Sequence, residues 1–163
     1  MPLYENIILS EWLDSAGPIP NQNDFGVSTG DLDAIHAWKD FGGLTRSEAF
    51  VKFSSNPDFF QEDFMFMGQL AFVFYFPVVE RYIFQSNIQD DEDEIEAMWI
   101  LSHCINNHFQ HDSDRQVMHL RERTQTLVRH VRDNIASFCK APTEQKRIDE
   151  AWHELEETLK KCV

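Results

Sequence analysis

Apolar positions recur at helical spacing along most of the chain. Leu3, Ile7, Ile8 and Trp12 fall near one stripe, and Gly17-Pro18-Ile19-Pro20 stops it, which predicts a short first helix over about 3–13. The following segment to Gly30 is rich in Asn, Asp, Gly and Ser, so an exposed loop is expected at about 17–30, before a helix over 31–40 that Gly42-Gly43 ends. Thr45-x-x-Glu48 is a capping box opening a helix that runs to about Phe53. Ala71 to Phe76 shows no period of two and no hairpin signal follows it, so helix is preferred over strand. Pro77 then either kinks a continuous helix or starts a new one at Val78.

The acidic run from Asp90 to Glu94 begins a helix whose face carries Ile95, Met98, Trp99, Ile105 and Phe109. Val117, Leu120, Thr124, Leu127, Val131, Asn134 and Phe138 alternate by threes and fours, which predicts one helix of about 25 residues. After Ala141-Pro142 the same spacing returns in Ile148, Trp152, Leu155, Leu159 and Cys162, so the last two helices are expected to form an antiparallel hairpin. Their seam is too short and too polar at Thr124 and Asn134 for a free coiled coil. The expected fold is all-α: a compact irregular helical bundle, one domain over 1–163, with a C-terminal antiparallel hairpin. Ten of the 14 phenylalanines lie between Phe50 and Phe84, which places the core there and leaves an exposed aromatic groove as the rarer alternative.

Charge sharpens the picture. The net charge of -14 lies wholly in residues 1–100, which hold 18 acidic and 4 basic residues, whereas the remainder holds ten of each. Such a surface repels a phosphate backbone, so nucleic acid is not an expected partner, and it can steer a cationic one. The expected contact surface is Asp90, Asp91, Glu92, Asp93, Glu94 and Glu96, facing a basic protein partner. The apolar run Phe64–Val79 is broken by Gly68-Gln69 and closed by Glu80-Arg81, short of a membrane span. Three dispersed cysteines and no signal-peptide pattern fit free thiols in the cytoplasm.

Catalytic signatures are missing from the sequence: there is no Gly-x-Ser-x-Gly, no His-Glu-x-x-His and no phosphate-binding Gly-x-x-x-x-Gly-Lys, and no cofactor is called for. His103, His108, His111 and His119 crowd around Asp112 and Asp114, so the competing expectation is a metal-dependent enzyme using His108, His111 and Asp112. Glu150-x-x-His153 matches half of a di-iron carboxylate pattern without a second copy, and reads as a solvent-facing pair beside a buried Trp152. Cys104 reads as a buried thiol on the Ile105 face. Glu62, Asp63 and Glu80 are candidates for a carboxylate pair in an aromatic cleft, where burial raises a pKa.

Phe66-Met67-Gly68-x-x-Ala71-Phe72-x-Phe74-Tyr75-Phe76-Pro77-x-x-x-Arg81-Tyr82 resembles a segment of small bacterial helical proteins of uncharacterised activity, in which an aromatic-Pro helix packs centrally. The resemblance implies a bacterial cytoplasmic origin and carries no catalytic role. At the level of class, acidic single-domain proteins of this size include inhibitors and immunity proteins that neutralise basic enzymes. The sequence therefore points to a protein-binding or regulatory protein rather than an enzyme.

Overall fold

The structure is a computed structural model that describes residues 17–86, 91–111 and 116–162. The expected helix over 3–13 lies outside them. Every regular element among the described residues is helical: α1 (Leu32–Phe41), α2 (Arg46–Ser55), α3 (Pro57–Phe60), α4 (Asp63–Phe66), α5 (Gln69–Gln85), α6 (Glu92–Gln110), α7 (Arg121–Asp133), α8 (Ile135–Phe138) and α9 (Pro142–Lys161), with 3-10 turns at Val27–Thr29 and Gln116–Leu120. The all-α fold expected from periodicity is the observed one, and no described helix is long and apolar enough to cross a membrane.

Helix starts follow local chemistry. Asp31 accepts from the Asp33 amide, and the Thr45–Glu48 capping box closes in both directions. Asp91 caps α6 by accepting from the Asp93 and Glu94 amides at 3.0 and 3.2 Å. Helix α5 has no capping side chain; backbone carbonyls from the preceding loop take that place. Phe25 O accepts from Gly68 N at 2.9 Å, and Asp24 O lies 3.4 Å from Ala71 N. A Cβ at Gly68 would sit 2.3 Å from the Asp24 carbonyl oxygen, so only glycine permits this approach. Here the expected exposed loop needs correction: Phe25 within it is fully buried against Trp38 and Tyr75, because the loop is pinned to the start of the central helix.

Pro77 lies inside a single continuous helix, the first of the two expected outcomes as far as continuity goes. It cannot donate to the turn before it, and in that turn Phe74 O accepts from Arg46 Nε at 2.7 Å. Most of the aromatic belt is core. Phe53, Phe64, Phe72, Tyr75 and Phe76 are fully buried, while Phe59 is 60% exposed.

The expected 25-residue helix is divided into the 3-10 turn, α7 and α8. Its buried seam of Val117, Leu120, Thr124, Leu127, Val131 and Phe138 is as the spacing predicts, but Asn134 is exposed. The Asn134 side chain donates to the His130 carbonyl at 2.7 Å, a local bond that competes with helix continuation. Helices α7 and α9 are antiparallel: Arg121 Nε reaches the Leu159 carbonyl, while Arg132 at the other end binds Asp149 and Glu156. Helix α9 runs in the same direction as α6, pairing Met98 with Trp152 and Phe109 with Cys162. The α6 and α9 N-termini therefore share one end of the bundle.

Candidate functional site: an acidic groove at the paired helix starts

Between those two N-termini lies a groove of about 540 Å³ lined by Glu92, Ile95, Glu96, Trp99, Lys140, Ala141, Glu144 and Arg147. It continues past Arg147 into a hollow of about 280 Å³ lined by His103, Glu150, Ala151 and Glu154. Trp99 and Ile95 give an apolar floor, and five carboxylates stand along the walls against Lys140 and Arg147. The Arg147 guanidinium lies 5.2 Å from the Trp99 ring centroid, so one cation–aromatic contact is already built into the groove.

Of the expected surface, Glu92 and Glu96 line this groove; Asp91, Asp93 and Glu94 stand at the same start of α6 but are not among the lining residues, and Asp90 lies outside the described residues. Part of this charge complements the α6 dipole. Beside the groove, the charge of Asp58 on α3, ahead of any burial effect, holds the Asp93 carboxyl above its usual range. Glu96 accepts from Gln61 Nε2 at 3.0 Å, which ties this face to the α3–α4 connection. Glu144, Glu150 and Glu154 were not legible as members of the surface. Only the Asp90–Glu94 run announces itself in sequence, and the others join through tertiary packing.

The expected metal residues do not converge. His108 is 4% exposed, its Nε2 donates to the Phe64 carbonyl at 2.7 Å and its ring stacks on Phe72 at 3.9 Å, so it serves as a core hydrogen-bonding group. His111 is the exposed C-cap of α6, and Asp112 lies outside the described residues. Of their neighbours, His103 sits edge-on to Trp99 and His119 is exposed. The i,i+3 spacing is right for one helix face, but here the helix ends between the two imidazoles. Cys104 is fully buried, and burial pushes its thiol up, far from a reactive thiolate.

The carboxylate pair expected from Glu62, Asp63 and Glu80 also separates. Glu80 is buried in an ion pair with Arg123, which approaches both of its oxygens. Asp63 meets Asp40 and His36 instead: His36 Nδ1 lies 3.3 Å from Asp40 Oδ2 and 3.5 Å from Asp63 Oδ1. Burial, then the neighbouring Asp40 carboxylate, push the Asp63 carboxyl up to about 8, against the pull of Lys52.

A carboxyl raised on folding contributes stability in full below its unfolded pKa, near 4, and loses that contribution as pH rises through about 8. Chelator-treated protein should therefore weaken over that window by at most about 1.4 kcal/mol per pH unit from this group. Urea unfolding at a series of pH values tests this, and Asp63→Asn should remove that part of the slope. An unchanged slope in the variant would count against the assignment.

The fold and groove define an all-α protein with an acidic, aromatic-floored surface. Comparison with known proteins finds no family model that matches the chain and no curated protein or solved structure similar to it.

Proposed function

We propose that this chain is a protein-binding, regulatory protein whose α6–α9 groove receives a basic segment of its partner, in the manner of an acidic inhibitor or immunity protein. The observation that supports this reading is the gathering of like charge from α6 and α9 around an apolar floor. Carboxylates gathered along a wall gain when a cation enters among them, and a lysine or arginine stem can lie along Trp99 while its charged end meets the walls.

Because Asp91 is the helix cap, Glu92 and Asp93 are the cleaner positions for charge reversal. Immobilised wild type and E92K/D93K are compared as baits in source-cell lysate at low and high salt. The expected result is a basic protein captured by wild type at low salt, released at high salt and lost by the variant, with association of the purified partner slowed about 10-fold or more. Identical capture by both baits would refute the surface. The enzyme alternative based on His108, His111 and Asp112 has no support in the geometry of the two histidines.

A further inference from the structure

Away from the groove, α1 and the start of α4 bring together the three side chains His36, Asp40 and Asp63. His36 and Asp40 stand one helical turn apart on α1, and Asp63 is the first residue of α4. Their three ligand atoms lie within 4.8 Å of one another. A tetrahedral zinc with bonds near 2.0–2.1 Å requires donor separations of about 3.3–3.4 Å. The two His36–carboxylate distances, 3.3 and 3.5 Å, match that edge.

A second observation points to a ligand. Asp63 is 94% buried and its Oδ2 has no hydrogen-bond partner in the structure, and Asp40 Oδ2 lacks hydrogen-bond geometry to the His36 Nδ1 that stands 3.3 Å from it. Two carboxylates placed together with orphaned oxygens are costly unless a proton or a cation joins them. Lys52 fills this role only in part: its charge pulls on Asp63, but its ammonium donates to the Asp40 backbone carbonyl and lies against the Phe41 and Phe60 rings. The His36 side chain is 59% exposed and forms the open side through which an ion and its remaining water can enter.

We propose that His36, Asp40 and Asp63 form a binding site for one divalent transition-metal ion of the zinc class, with one imidazole and two carboxylate ligands and a position open to solvent. The other described cluster of this kind, His153 with Glu156 and Glu157, differs in that Arg132 is within 3.2 Å of His153 Nδ1 and 2.5 Å of Glu156 Oε2, with Lys160 on Glu157. A dication there must displace a guanidinium, so it serves as the internal control.

The test is calorimetric titration of Zn²⁺ alone into the chelator-treated full chain, paired with thermal unfolding with and without the ion. Saturation at one ion per chain with a raised Tm is expected. His36→Ala and Asp63→Asn should each weaken binding about 10–100-fold or more, and His153→Ala should leave it unchanged. His36 is exposed, so H36A keeps the result readable even where D63N alters folding; circular dichroism confirms that each variant is folded. No saturable binding, binding that survives H36A, or binding lost only in H153A would overturn the site.

Discussion

Arg123→Ala should lower folding stability by about 3–5 kcal/mol, because it strands a carboxylate in the core. Glu80 is 1% exposed, and both of its oxygens face the Arg123 guanidinium, which also lies over the Phe76 ring at 5.3 Å. Burial already pushes the Glu80 carboxyl up, opposed by that guanidinium; without it, Glu80 must take a proton or remain charged in an apolar setting. Replacing both partners with apolar residues of similar size should recover most of the loss, since the pair itself has little net value once desolvation is counted. Urea unfolding at neutral pH of R123A and of the double variant E80L/R123M gives the comparison. A single-variant loss below about 1 kcal/mol would show that the pair is not the buried unit described.

A loss of similar size is expected on removing Trp152. This side chain is fully buried between α6 and α9, and its Nε1 donates to the Met98 carbonyl at 2.8 Å. Trp152→Ala removes the largest buried side chain of α9 and should cost about 3–5 kcal/mol from lost burial and the cavity left behind. Trp152→Phe keeps much of the burial but leaves the carbonyl without this donor, at about 1–3 kcal/mol. For a chain of this size each kcal/mol shifts Tm by about 2–4 °C, so thermal unfolding resolves the two substitutions. Equal effects from Ala and Phe would mean that the hydrogen bond, and not the packing, holds α6 to α9.

What the sequence discloses is local. Capping at Thr45 and at the acidic run, the seams of the last two long helices and the burial of the phenylalanine belt are all written in short-range pattern. Two local readings fail for tertiary reasons. Phe25 sits in a polar loop that its neighbours predict to be exposed, yet its carbonyl and ring complete the start of α5. His108 and His111 have a good spacing for a shared ion, yet Phe64 and Phe72 claim the first. The functional surfaces are less legible still. His36 and Asp40 are visible as an i,i+4 pair, but Asp63 comes from another helix and no spacing announces it. Likewise the acidic run is plain in the chain, while Asp58 and the glutamates of α9 become its neighbours only on folding.

The position of α9 sets an order of events during synthesis. Its face packs on both α6 and α7, and it is the last of these three to leave the ribosome. At about 5–20 residues per second, roughly 2–10 s separate the emergence of α6 from that of the Leu155–Leu159 turn. Throughout that interval Met98 and its neighbours lack the Trp152 contact, so the bundle closes late and the growing chain carries an apolar face for a holdase to occupy.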